Sequence, residues 1–189
     1  IRDYPDLPYR GQMLDIARNF TTVEHLKKLV DVISSYKLNV LHFHFSDDEG
    51  WRLEIPGLEE LTSVGARRGH TAQRHVRVIP EIESPGHARA AIVSMKARYH
   101  KFMNTAPEKA DEYLLSDVQD TSRYVSAQSY TDNVMNVALP STYRFMEKVI
   151  RELIAMYEEA EVPLTTIHLG GDEVPEGAWM GSPVCRAFM

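Results

Sequence analysis

The sequence has a single cysteine, Cys185, so no disulfide can form within it, and on this count a mature exported protein and a cytosolic one would look alike. It has no cluster of Lys and Arg. Its 21 basic residues are dispersed among 27 acidic ones for a formal charge of -6, which denies nucleic acid or an anionic membrane the basic stripe it requires. No apolar run approaches the roughly 18 residues of a membrane span, and the opening residues, Ile-Arg-Asp-Tyr-Pro, do not read as a signal peptide. There is no low-complexity tail. What is present is 189 residues with 43% hydrophobic content, enough for one sizeable core, and a neutral substrate fits this charge balance better than a charged polymer.

Four short apolar runs end in charged or histidine residues: Met13 to Arg18, Val40 to Asp48, Val76 to Glu83, and Leu164 to Glu173. Each reads as a strand, and their mostly apolar interiors predict strands covered on both faces, as in a parallel sheet. Helical patterns lie between them. Thr21-Thr22-Val23-Glu24 has the spacing of a capping box and precedes an apolar stripe through Val23, Leu26, Leu29, Val30 and Ile33. A second helix is predicted from about Ser141 to Glu159, and a third from Pro85 to about Tyr99.

Alternating strands and helices imply right-handed crossovers, in either a doubly wound sheet or a (β/α)8 barrel. A doubly wound sheet should carry a glycine-rich phosphate turn after its first strand, which this sequence lacks. In a barrel each strand can deliver a functional residue from its C-terminal end. All four runs do so, with Arg18, with Asp47 and Asp48, with Glu83 and His87, and with Asp172 and Glu173. The expected fold is therefore a (β/α)8 TIM barrel of which only the first four βα units are present. The connection from Trp51 to His75 contains no long amphipathic helix, and Ala72-Gln73-Arg74-His75 reads as the tail of a helix whose head is absent. Residues are expected to be missing between Thr71 and Ala72.

The stretch His168-Leu169-Gly170-Gly171-Asp172-Glu173 poses a geometric problem. In a regular strand neighbouring side chains point to opposite faces, so Asp172 and Glu173 could not serve one site without a bend. The two glycines can supply it.

Five motifs in order, Tyr9-Arg10-Gly11, Leu14-Asp15-Ile16-Ala17-Arg18, the run from His42 to Arg52, Pro80-Glu81-Ile82-Glu83-Ser84-Pro85-Gly86-His87, and His168 to Glu173, closely resemble glycoside hydrolase family 20, the β-N-acetylhexosaminidases. The resemblance spans nearly the whole chain. It implies hydrolysis of terminal non-reducing N-acetylhexosamine from β-linked glycans by a retaining, substrate-assisted mechanism. Glu173 would be the general acid, and Asp172 would hold the 2-acetamido group, whose oxygen attacks the anomeric carbon to form an oxazolinium. Arg18 would bind sugar hydroxyls through its guanidinium fork. Asp47 would pair with His87, and His87 would lie near Glu173 and govern its proton exchange. Trp51 and Trp179 are candidate sugar platforms, with buried packing the alternative.

The resemblance calls for no cofactor or metal, and for a glycan or glycoconjugate as partner. An exported location, periplasmic, extracellular or lysosomal-like, is expected although no residue carries it. Later tryptophans and a tyrosine that line the family's sugar pocket have no counterpart in this chain, and Glu83 stands where many members have Asp. The whole chain, 1–189, is thus expected to be the N-terminal half of a family 20 catalytic barrel. From the residues alone, Arg18 could instead bridge to Asp15 or Asp48, and His42 and His44 read as hydrogen-bonded interior residues. Two rival functions remain: a metal-dependent amidohydrolase-like barrel using His42, His44, His87, His168 and Asp172, and a sugar-binding homologue without turnover.

Overall fold

The computed structural model describes residues 4–65 and 77–188. The expected break between Thr71 and Ala72 and the helix tail at 72–75 lie outside the described residues. Three of the four predicted strands form a parallel sheet in the order β1 (Gly11–Asp15), β2 (Val40–His44), β3 (Arg77–Glu81). Their register places Asp15, His44 and Glu81 side by side at the C-terminal edge. The protein is therefore α/β, with its strands ending together on one side.

The strands are shorter than the apolar runs that predicted them. After His44 the backbone leaves the ladder: Asp47 N–H donates to the Gly50 carbonyl, and Ser46 bridges antiparallel to Trp51. The acidic ends of the runs thus belong to turns that carry side chains above the sheet. The fourth run, expected as a strand over Leu164 to Glu173, makes only one parallel bridge, between Glu81 and His168. His168 N–H donates to the Pro80 carbonyl at 2.9 Å, and Ile82 N–H returns a bond to the His168 carbonyl at 3.0 Å. Pairing stops at Leu169, because Gly170 and Gly171 follow with φ of +65° and +105° and turn the chain out of the pleat.

Helix α1 (Val23–Ser35) starts one residue later than the capping-box spacing implied. Thr22, not Thr21, is the cap, its hydroxyl accepting from His25 N–H. The crossover after β2 holds, among the described residues, only the one-turn helix α2 (Glu60–Ser63). Helix α3 (Arg89–Phe102) begins four residues after Pro85, where it was expected. Residues 85–88 bond elsewhere: the Pro85 carbonyl accepts from Met135 N–H, and Ala88 N–H donates to Asn133. A short helix, α4 (Pro107–Asp111), precedes the long irregular segment 112–139, and α5 (Pro140–Glu159) then matches the predicted helix closely. Helix α6 (Pro183–Phe188) closes the described chain.

Two apolar clusters hold these elements. Ile33 of α1 packs with Ile16, Leu41 and Phe43, fixing α1 against β1 and β2. A larger cluster joins Trp51, Leu53, Ile55, Leu58 and Leu61 to Ile92 and Met95 of α3 and to Phe145, Val149 and Leu153 of α5. Trp51 is 1% exposed and meets Phe145 edge to face at 5.8 Å. Trp51 is thus a core residue, and burying a side chain of that size contributes about 2–3 kcal/mol.

Candidate active site

The turns behind the parallel strands bring most of the predicted site residues into one chain of contacts. Arg18, beyond β1, places Nη2 2.6 Å from Asp47 Oδ2, beyond β2. Asp47 Oδ1 lies 3.4 Å from His87 Nδ1, and His87 Nε2 lies 3.2 Å from Glu173 Oε2. Asp47 and His87 are 1% and 4% exposed, whereas the Glu173 side chain is 49% exposed. A buried pair therefore backs a carboxyl group that opens to solvent.

Gly170 and Gly171 bend the chain immediately before the two adjacent carboxylates. Glu173 itself adopts φ of +49°, and His87 opposite it adopts +50°. Glu173 Oε2 also accepts a 2.8 Å hydrogen bond from Gln128 Nε2. Asp172 is exposed, and its charge acts on the buried Glu83 only by repulsion, adding to the rise in that group's pKa. Strained backbone angles of this kind cost about 1–3 kcal/mol each and persist only where the surroundings enforce them.

Burial would raise the Asp47 pKa. Hydrogen bonds from His44 and Asp48 N–H, then the charges of Arg18 and His87, outweigh it and hold the group below the ordinary carboxylate range. Asp48 moves the other way: burial dominates, despite hydrogen bonds from Arg89 N–H and Asn133 Nδ2. Burial, reinforced by Glu81, pushes Glu83 up to about 8, so it carries a proton at neutral pH. For His44, burial acts to lower the pKa, but hydrogen bonds to Asp47 and Glu81 prevail and raise it to about 9.

Arg18 also bridges to Asp15 at 2.9 Å and approaches Glu49 at 3.5 Å. Of its two alternative salt-bridge partners, Asp15 is used, while the second carboxylate is Asp47 rather than Asp48. Trp179 does not join the chain of contacts. It is half-buried at φ +67°, its indole N–H donating to the Met135 carbonyl at 3.0 Å. Trp51 is sealed in the core. Sequence reasoning missed Gln128, which lies in the segment 112–139 with no periodicity or motif to mark it.

His42 and His44 share a face, as predicted. His44 sits between Asp47 and Glu81, and His42 Nε2 lies 3.1 Å from Glu81 Oε2. Three groups of donor atoms lie close enough to hold an ion: His42, Glu81 and His168; His44, Glu81 and Glu83; and Asp47, Asp48 and His87. The five residues of the metal-dependent reading do not converge, since its histidines fall into three separate groups and Asp172 into none of them among the described residues.

The description "Glycosyl hydrolase family 20, catalytic domain" matches residues 7–189, and the chain belongs to that family. It is 42% identical to a β-hexosaminidase of Vibrio vulnificus, across 98% of this chain and 26% of that protein. With the N,N'-diacetylchitobiase of Vibrio harveyi the identity is 43%, across 92% of this chain and 24% of the other. A crystal structure of a family 20 exo-β-N-acetylglucosaminidase from Vibrio harveyi, in complex with N-acetylglucosamine, superposes with a TM-score of 0.80 at 38% identity, over 99% of this chain and 31% of that one. The chain thus spans about a quarter to a third of the length of these relatives.

Proposed function

We propose that the chain is the N-terminal half of a family 20 (β/α)8 barrel, and that the protein containing it hydrolyses terminal β-linked N-acetylhexosamine with retention through an oxazolinium intermediate. The observation that carries this reading is the contact chain Asp47, His87, Glu173. Glu173 protonates the glycosidic oxygen and later takes a proton from water. His87, backed by ionised Asp47, orients it and exchanges charge with it. Asp172 holds and polarises the acetamido group so that its oxygen serves as nucleophile, in place of the second carboxylate of an ordinary retaining enzyme. Arg18, already paired with Asp47, presents its remaining donors to sugar hydroxyls. Trp179 is the candidate apolar wall for the sugar.

Support for a half barrel comes from the parallel strands that deliver these residues at one edge, and from the fraction of the relatives that the chain covers. The alignment with the Vibrio vulnificus protein runs over 224 residues against the 189 of this chain, so that relative has residues within the matched span that this chain lacks, as residues missing between 71 and 72 would require. Among the described residues no helix is long and apolar enough to cross a membrane. An exported location belongs to the same reading and is checked by cell fractionation. The full-length protein, assayed on chromogenic β-N-acetylglucosaminide and β-N-acetylgalactosaminide, should release product of retained configuration from at least one. Binding of N-acetylglucosamine without turnover would favour the sugar-binding alternative.

A further inference from the structure

The contact chain does not stop at Asp47. Asp15, His44, Glu81 and His168 occupy neighbouring positions across the C-terminal edge of the strands. His44 Nε2–H donates to Asp47 Oδ2 at 2.7 Å, on the carboxylate whose other oxygen faces His87. On its far side, His44 Nδ1–H donates to Glu81 Oε2 at 2.6 Å, while Glu81 Oε1 lies 2.6 Å from His168 Nδ1. His44 and Glu81 are each 5% exposed. Asp47 Oδ2 is thus held by both a buried imidazole and Arg18, leaving Oδ1 towards His87.

We infer that His44 and Glu81 are positioning residues for the general acid, because their hydrogen-bonded pair fixes the Asp47 carboxylate that aligns His87 on Glu173. This rests on the proposed glycosidase reading. A carboxylate held by His87 alone could rotate about its terminal torsion, and Asp47 Oδ1 approaches His87 Nδ1 at 3.4 Å without completing a hydrogen bond, so a small rotation decides whether that bond forms. Two donors on Oδ2, His44 and Arg18, and Asp48 N–H on Oδ1 remove that freedom. Glu81 in turn keeps the His44 ring in plane and its Nδ1 protonated, as a carboxylate does for a catalytic imidazole elsewhere.

The titratable groups that face His44 are Asp15 from β1, Asp47 behind β2, Glu81 at the end of β3 and, in the turn after it, Glu83, with Glu83 Oε1 3.7 Å away. Those that face Asp47 are His44, Arg18, His87 and Asp48, with Glu83 coupled to it more weakly. His44 carries a charge at neutral pH and lowers the proton affinity of Asp47. Its removal therefore raises the Asp47 pKa, and protonated Asp47 no longer supports His87.

The test uses the full-length protein and aryl β-N-acetylglucosaminides with poor leaving groups. His44→Gln should lower kcat by up to about 10², the scale of a small misplacement at a reacting centre, with KM little changed. The acid limb of its pH–kcat/KM profile should move upward by about one unit or more, the size expected for loss of an adjacent opposite charge. Glu81→Gln, which keeps an acceptor for His44 but removes the charge, should shift the limb in the same direction by less, and it serves where His44→Gln does not fold. An active parent whose variants lose rate equally at every pH, or keep the parental profile, would overturn the inference and reduce the pair to packing. A parent that turns over neither epimeric substrate would overturn the glycosidase reading first, and this inference with it.

Discussion

His87 Nε2 lies 3.2 Å from Glu173 Oε2, and both residues hold left-handed backbone angles, φ of +50° and +49°. Neither angle suits a side chain with a Cβ. The surroundings therefore enforce them, and the energy is spent on aiming the imidazole and the carboxyl at one another.

That strain is measurable at Glu173, whose side chain is half exposed and loses little packing when truncated. Glu173→Gly should leave the protein more stable than Glu173→Ala by about 1 kcal/mol, reversing the usual order, because glycine alone adopts this angle without a penalty. Chemical unfolding of the two variants compares them directly, and both should be inactive on poor leaving groups.

The two glycines of the bend should respond differently. A Cβ on Gly170 would run into the Glu83 carboxylate, whereas one on Gly171 meets nothing within 4 Å and suffers only from its angle. Gly170→Ala is expected to lose both stability and turnover, and Gly171→Ala to lose stability by about 1–3 kcal/mol with the smaller loss of rate. Equal effects would place the strain elsewhere.

Much of this geometry was legible in the sequence. The apolar runs marked the strands because strands buried on two faces must be apolar throughout, and their charged endings marked the edge where Arg18, Asp47, His87 and Glu173 meet. Gly170-Gly171 announced the bend. The strand ends were overestimated because the pattern cannot tell a ladder residue from one that bonds within a turn, as Asp47 does to Gly50. The shift of the α1 cap from Thr21 to Thr22 reflects two equivalent hydroxyls in a row. Gln128 was invisible, since a residue delivered by an irregular segment is positioned by tertiary contacts alone.

The core contact between Trp51 and Phe145 ties the β2 turn, and with it Asp47, to α5. Phe145, 0% exposed, should cost about 3–5 kcal/mol when replaced by alanine, and less when replaced by leucine. Denaturant unfolding of the full-length protein measures both.

Stability should also depend on pH with a definite sign. Glu83 titrates at about 8 in the folded chain against 4.5 when unfolded, so it favours the fold below 4.5, and that contribution is lost as pH rises towards 8. His44, raised from 6.5 to about 9, favours the fold below 6.5, and its contribution is lost as pH rises through 9. The unfolding midpoint should therefore fall between pH 5 and pH 9. Glu83→Gln, which cannot ionise, should flatten the part nearest pH 5, where His44 is protonated in both states and contributes little slope.

The proposed division of labour between Asp172 and Glu173 is tested most directly by an aryl glycoside series that varies only in leaving-group pKa, measured on the full-length protein. Glu173→Gln should lose on the order of 10² to 10⁴ in turnover of poor leaving groups and much less for activated ones in the first step, as removal of a general acid requires. Asp172→Asn should lose rate whatever the leaving group and bind oxazoline-like inhibitors more weakly. A steeper leaving-group dependence for Asp172→Asn than for Glu173→Gln, or recovery of Asp172→Asn by azide through a covalent enzyme ester, would contradict the account.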